Sequence, residues 1–164
     1  MHSIDDAQTA AQLLRYLAQR FDRADLAYAV SPSRIKGGFD AAIFGFTLDR
    51  APQDVAGPLI LRLAQPGADP LRLKLEAVVQ NALAAMAFPA PRVAVAETSA
   101  TALGGPFVIM QRLAGQPLAH DVEKLGEGAS LAAKLRGMMG LPALFRQISA
   151  TWVDIQLRLH DLPA

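Results

Sequence analysis

Arg62 is the residue whose surroundings constrain its chemistry most, because it is a cation inside the apolar run Pro58–Ala64. Side chains of a strand alternate between two faces, so Arg62 shares a face with Ile60 and Ala64, opposite three leucines. Burying an unpaired cation costs more free energy than a strand can return. Arg62 therefore needs either solvent at a sheet edge or a partner.

Glu76 belongs to a helix that is predicted to begin beside Asp69, with Pro70 accepted in its first turn. The carboxylate flanks the apolar face of this helix and does not point away from it. Arg72 lies one turn earlier, at i, i+4, where a surface pair with Glu76 is worth about 0.3 to 0.5 kcal/mol. The predicted apolar face comprises Leu71, Leu75, Val78, Val79, Ala82, Leu83 and Met86.

A double glycine, Gly37 and Gly38, follows Lys36 between two strand-like runs at 26–35 and 39–48. Glycine adopts the positive φ that tight connections require. The two runs are therefore predicted to form a hairpin.

Other common chemistries find no support in the sequence. The chain has no cysteine, which excludes disulfides, thiolate metal sites and thiol nucleophiles. His2, His120 and His160 are its three histidines, and no two have metal-ligand spacing. No Gly-x-Ser-x-Gly elbow is present, so nothing indicates a hydrolase triad. We predict no metal site from these residues.

The elements that position these residues run in the order helix, three strands, helix, two strands and helices. A single helix between the third and fourth strands excludes a doubly wound parallel sheet and predicts an α+β fold. We expect an N-terminal helix within residues 1–25, a lobe over 26–113 and a linker with helices over 114–164. The predicted elements after the hairpin are a strand at 58–64, a helix from 70 to 86, strands at 92–97 and 106–112, and helices at 130–139 and 142–160.

Composition limits the class of protein and of partner. Hydrophobic residues make up 52% of the 164 residues, and charged residues 19%, so the chain can bury a core and is not a disordered tail. Sixteen basic and 15 acidic side chains are scattered, which gives no footprint for nucleic acid or for an anionic membrane. Asp5 and Asp6 lie where a signal peptide would be basic. We expect a soluble, cytoplasmic protein.

The chain resembles the nucleotide-binding lobe of the aminoglycoside phosphotransferase and choline kinase family, whose fold is related to that of protein kinases. The resemblance covers nearly all of the chain from about Leu26 onward, and it depends on the order and spacing of several short pieces. These are Lys36-Gly37-Gly38-Phe39-Asp40, Pro58-Leu59-Ile60-Leu61-Arg62, Glu76, Phe88-Pro89-Ala90-Pro91-Arg92-Val93, Leu103-Gly104-Gly105-Pro106-Phe107-Val108-Ile109-Met110 with Gln111-Arg112-Leu113-Ala114-Gly115, and Leu157-Arg158-Leu159-His160-Asp161-Leu162-Pro163.

The resemblance implies a kinase-like N-terminal lobe with a five-stranded antiparallel sheet and one inserted helix, followed by a helical segment. In such a lobe a strand cation holds the phosphates of ATP or GTP, bound with Mg²⁺, and a helix carboxylate pairs with that cation. Arg62 and Glu76 occupy these positions, so we favour their long-range pair over the local pair with Arg72. Gly37 and Gly38 would let backbone amides approach the phosphates, although an ordinary hairpin turn without a ligand is the alternative.

The family's hydrogen bonds to the base come from the backbone between the lobes, which here corresponds to Gln111 through Leu113. The catalytic carboxylate and metal ligands of the family come from an H-x-D-x-x-x-x-N type loop and a later aspartate. This chain has a single asparagine, Asn81, inside the predicted helix, so no such loop can be assembled. We expect a portion of a longer phosphotransferase that is inactive alone and whose small-molecule hydroxyl substrate is held by a second lobe.

Two other interpretations remain open at this point. One is a stand-alone binding or regulatory domain that keeps the shape of the lobe without transferring phosphate. The other is a small α+β protein unrelated to kinases, which would show a different strand order, or Arg62 and Glu76 on opposite sides of the sheet. The apolar run Met138–Phe145 is either part of a surface that meets a second lobe or ordinary core between two helices.

Overall fold

The computed structural model describes residues 5–35, 41–115, 146 and 148–161. The chain divides into two compact units, Met1–Leu113 and Ala114–Ala164. The predicted helix at 130–139, the run Met138–Phe145 and the glycines Gly37 and Gly38 lie outside the described residues.

The first unit opens with the predicted amphipathic helix, α1 (Asp6–Arg20). Asp5 caps it, because its carboxylate accepts hydrogen bonds from the backbone N–H groups of Ala7 and Gln8. Leu13 and Leu17, one turn apart, are fully buried. The helix therefore covers one face of the sheet with a narrow apolar stripe.

Five strands form one antiparallel sheet: β1 (Ala27–Ile35), β2 (Ala41–Asp49), β3 (Pro58–Ala64), β4 (Val93–Glu97) and β5 (Phe107–Gln111). Their spatial order is β1-β2-β3-β5-β4, and every neighbouring pair is antiparallel. A short 3₁₀ turn (Gln53–Val55) precedes β3, and α2 (Pro70–Ala85) lies between β3 and β4 in sequence. The predicted α+β class, five-stranded antiparallel sheet and single inserted helix are confirmed, and β3 is the central strand.

The two faces of β3 enter different apolar clusters, as the alternation of its side chains predicts. Leu59, Leu61 and Leu63 are buried in a cluster with α1. Ala64 belongs to a second cluster, on the α2 side of the sheet, and Ile60 packs against it. The second cluster contains Ala64, Leu73, Ala77, Val93, Val108 and Met110. Arg62 therefore lies on the α2 side of the sheet.

The apolar face predicted for α2 does not pack against the sheet. Leu71, Leu75 and Val78 are 72%, 62% and 59% exposed, whereas the buried residues of the helix are Leu73 and Ala77. Two polar contacts described below, one at each half of the helix, fix its rotation. They turn Leu73 and Ala77, which are four residues apart, toward the sheet. The wider apolar face of the helix is left exposed.

The described part of the second unit is helical over residues 148–160, within the predicted helix at 142–160. Arg158 and Asp154 form an i, i+4 ion pair in it, with 3.9 Å between Nη1 and Oδ2. Within the described ranges of the chain, no helix is long and apolar enough to cross a membrane.

Candidate functional site

The strand cation and the helix carboxylate meet. Nη1 of Arg62 lies 2.7 Å from Oε2 of Glu76, which is a short charge-assisted hydrogen bond. The local pair is formed as well, with 3.2 Å between Nε of Arg72 and Oε1 of Glu76. Each oxygen of Glu76 therefore serves a different guanidinium, and the two partners that the sequence offered as alternatives are both used. The interpretation that would place Arg62 and Glu76 on opposite sides of the sheet is excluded.

Strand register and helix capping bring this pair together. Arg62 stands opposite Ile43 on β2 and Val108 on β5, so its Cα is fixed by pairing on both sides. Asp69 accepts a hydrogen bond from the N–H of Leu71 and starts α2 five residues after β3 ends. Because the connection is so short, the second turn of α2 returns over the strand that precedes it.

The electrostatics of the pair keep Glu76 ionised. The hydrogen bond from Arg62 is the main cause that holds the pKa of the Glu76 carboxyl below its usual value, with smaller contributions from the charges of both arginines. Partial burial opposes this effect but does not cancel it. At neutral pH the site therefore presents a carboxylate that points Arg62 in one direction.

Arg62 keeps capacity for a further ligand. Its side chain is 34% exposed, and only Nη1 donates to a described residue. A guanidinium has five N–H donors in a rigid fork. An oxyanion that approaches the exposed side of Arg62 would therefore find donors that the described part of the protein does not use.

The backbone between the strand end and the second unit was predicted to bind a base. Within it, the N–H of Gln111 donates to the carbonyl of Arg92, and the N–H of Arg112 donates to the carbonyl of Pro58, at 2.8 and 2.9 Å. Leu113 differs, because neither its N–H nor its C=O bonds to a described residue. A ligand could therefore accept a hydrogen bond from the N–H of Leu113 and donate one to its C=O.

The predicted hairpin is present as the antiparallel pair β1–β2, and the connection at 36–40, with Gly37 and Gly38, lies outside the described residues. Ile43 is paired with Ile35 on one side and with Arg62 on the other. The last residue of β1 is therefore on the same rung of the sheet as Ile43 and Arg62.

Asn81 has a role that the sequence did not indicate. Its side-chain amide donates to the carbonyl of Val93 and its side-chain oxygen accepts from the N–H of Val93, at 3.0 and 2.8 Å. This double hydrogen bond joins the fourth turn of α2 to the start of β4. An asparagine inside a helix is unfavourable unless its side chain has a specific use, and that signal could have identified it.

Two shallow polar clefts lie on the other side of the sheet, where α1 meets the end of β4. They have volumes of about 420 and 350 Å³ and share Tyr16, Gln19 and Glu97. The hydroxyl of Tyr16 donates to Glu97 at 3.0 Å. Burial, and then that hydrogen bond, raise the pKa of Tyr16 to about 12. Neither cleft contains Arg62 or Glu76, so the pair and these clefts are separate features.

The described residues offer no ready metal centre. Across 5–35, 41–115 and 148–161, no three His, Asp or Glu side chains come close enough to hold a metal ion. The carboxylate nearest to Arg62 is Glu76, whose two oxygens already accept hydrogen bonds from guanidinium groups.

Comparison with known families gave one finding that covers most of the chain. The model of the phosphotransferase enzyme family matches residues 32–163. Neither the curated proteins nor the solved structures contain a match.

Proposed function

Because the chain belongs to the phosphotransferase enzyme family, as its resemblance to aminoglycoside phosphotransferases predicted, we propose that its first unit binds a nucleoside triphosphate. In this proposal ATP or GTP lies on the α2 side of the sheet, and the protein to which the domain contributes transfers the terminal phosphoryl group to a hydroxyl of a small molecule. The family match by itself identifies the domain as one of the phosphotransferase type.

The pair of Arg62 and Glu76 carries this proposal. The carboxylate directs the guanidinium from one side, and about a third of the Arg62 side chain stays accessible. Phosphoryl transfer requires little covalent chemistry from the protein and depends on holding charged oxygens in place. A permanently charged fork with unused donors is suited to this task. Gly37 and Gly38, which follow β1 in the sequence, would add backbone amides to the phosphates.

The base would lie farther along the same face, toward the end of β5. Ile60 on β3 is half-buried, is paired with the buried Met110 on β5, and supplies an apolar surface. Leu113 supplies a backbone N–H and C=O without described partners. Together with Gln111 this backbone would hydrogen-bond the edge of the base, as an adenine or guanine ring requires.

Mg²⁺ would reach this site with the nucleotide, because the described residues do not form a ligand set for it. When bound it would neutralise charge on the phosphates. The chain's single asparagine holds β4 and is not part of an H-x-D-x-x-x-x-N loop. We therefore propose that this chain binds nucleotide but does not transfer phosphate alone, and that a further segment supplies the acid-base group, the metal ligands and the acceptor site.

Thermal unfolding with and without Mg-ATP or Mg-GTP tests the proposal. A ligand at about ten times its Kd stabilises the folded state by roughly 1.4 kcal/mol, so millimolar nucleotide should raise the melting temperature. Arg62→Met should abolish that rise. Arg72→Met is the matched control, because it also removes a guanidinium from Glu76 but at a position that is 80% exposed, and it should keep the rise. No protection of the wild-type chain at millimolar nucleotide would contradict nucleotide binding and favour a domain that keeps only the shape of the lobe.

A further inference from the structure

Arg112 lies with its guanidinium against the bare backbone of Gly45. A methyl group built on Gly45 would be 3.3 Å from Nη1 of Arg112 and 3.2 Å from Cδ1 of Ile35. Both distances are shorter than ordinary van der Waals contact between such atoms. The absence of a side chain at residue 45 therefore provides the space that the guanidinium occupies.

This contact lies on the same face of the sheet as Arg62. Phe44 and Phe46, the neighbours of Gly45 in β2, are buried on the α1 side. Alternation therefore turns residue 45 toward the α2 side, together with Ile43, which is paired with Arg62. The Arg112 contact is two residues along β2 from that rung, a distance of about 7 Å.

The side chain of Arg112 reaches across the central strand. Its backbone follows β5 and donates to the carbonyl of Pro58 at the start of β3. Its guanidinium reaches Gly45, which is paired with Ile60 of β3. Since β3 lies between β5 and β2, the arginine passes over the apolar surface near Ile60.

The guanidinium of Arg112 has no protein partner among the residues that the structure describes. Arg23, Arg34, Arg62 and Arg72 each have a carboxylate within 3.3 Å, but no described carboxylate lies within ion-pair distance of Arg112. Arg112 is also exposed. A planar cation that lies on the candidate site, and that pairs with no carboxylate of a described residue, can offer its donors and its flat face to a ligand.

We propose that Arg112 is the surface on which the nucleobase stacks, an inference that rests on the proposed nucleotide site. Arginine stacks on aromatic rings through its planar, weakly hydrated guanidinium. Stacking on a base tolerates any base, because every base has a π face. The phosphates would then lie at Arg62, the base at Arg112 and the base edge at Leu113. Arg112 is in this scheme a determinant of affinity for the base that does not distinguish ATP from GTP.

Titration calorimetry with three probes, Mg-ATP, Mg-GTP and inorganic tripolyphosphate with Mg²⁺, tests the inference on the full chain. Arg112→Leu should weaken both nucleotides by about 5- to 150-fold and leave the affinity for tripolyphosphate unchanged, since that probe has no base. Arg62→Met should lower the affinity for every probe that binds the wild-type chain.

Gly45→Val is the second variant, because it fills the space of the guanidinium while valine suits an extended strand. It should reproduce the pattern of Arg112→Leu, and its unfolding transition shows whether the sheet is retained. An Arg112→Leu effect on one nucleotide only, an equal loss for all three probes, or no loss would each overturn the stacking role. If the wild-type chain binds neither nucleotide, the proposed function itself falls, and this inference falls with it.

Discussion

Removing the ion pair between Arg62 and Glu76 by mutation should lower the free energy of unfolding of the domain by a measurable amount. Fully exposed ion pairs contribute about 0.2 to 1 kcal/mol, and hydrogen bonds to charged groups in buried sites about 1.5 to 3 kcal/mol. The two side chains are 34% and 33% exposed and their atoms are 2.7 Å apart. We therefore expect a coupling free energy of about 1 kcal/mol from a double-mutant cycle of Arg62→Met and Glu76→Gln.

The second guanidinium on the same carboxylate supplies an internal comparison. Arg72 is 80% exposed and pairs with Glu76 at i, i+4 on the helix, so its coupling should be about 0.3 to 0.5 kcal/mol. Urea unfolding at neutral pH measures both cycles under the same conditions. A coupling for Arg72 as large as that for Arg62, or none for Arg62, would refute the assignment of the strand cation as the main partner.

The coupling free energy between Arg62 and Glu76 should decrease in acid. The pKa of Glu76 is lower in the folded state than its usual value of 4.5, chiefly because of the hydrogen bond from Arg62. A lowered folded-state pKa stabilises the protein fully above the unfolded-state pKa, and this stabilisation is lost as the pH falls through the folded-state value. The coupling between Arg62 and Glu76 should therefore be constant from neutral pH down to about 5 and shrink below 4.5. A coupling that persists unchanged in acid would contradict the ionic nature of the pair.

Three further predictions concern the packing of the first unit on both sides of the sheet. Leu73→Ala should lower the free energy of unfolding in urea by about 2 to 5 kcal/mol, because Leu73 is only 4% exposed. Leu75 is 62% exposed, so Leu75→Ala should change that free energy by less than about 0.5 kcal/mol. Equal costs would contradict the observed rotation of α2. Asn81→Ala should destabilise by about 1 to 3 kcal/mol, since it leaves the N–H of a partly buried residue without its acceptor, and a neutral effect would show that this contact is dispensable. In a spectrophotometric titration, neither tyrosine should ionise near pH 10 while the protein is folded, because burial raises the pKa of Tyr16 to about 12 and also raises that of Tyr28. The free energy of unfolding should therefore fall as the pH rises beyond 10. Ionisation of both tyrosines near pH 10 in the folded protein would contradict the packing of both rings.

The features of the fold that were predicted correctly depend on local periodicity. The alternation in β3 separated the leucines from Arg62. In the structure the leucines are buried in the cluster on the α1 side, and Arg62 lies on the α2 side, where it pairs with Glu76. The double glycine and the two flanking runs predicted the pairing of β1 with β2. A lone cation in an apolar strand demanded a partner for a reason that holds in any fold. Each of these inferences needed only residues that are close together in the sequence.

The features that were missed or mistaken depend on contacts between distant segments. The apolar stripe of α2 suggested a packing face, but the helix is oriented by Glu76 on Arg62 and by Asn81 on Val93, and its stripe is exposed. Periodicity gives the width of an apolar face and cannot show which polar residues will fix the rotation. The contact of Arg112 with β2 likewise depends on β5 lying beside β3, which is an outcome of sheet order.

The central claim is that a nucleotide binds on the α2 side of the sheet with its phosphates at Arg62. The most direct measurement is an NMR titration of the isotopically labelled chain with Mg-ATP, which follows the Nε–H signal of Arg62 together with backbone amides. We predict saturable shifts at Arg62, Ile60 and Met110, with little change at Tyr16 and Glu97 on the opposite side. Shifts confined to Tyr16 and Glu97, or no shifts at millimolar nucleotide, would contradict the account.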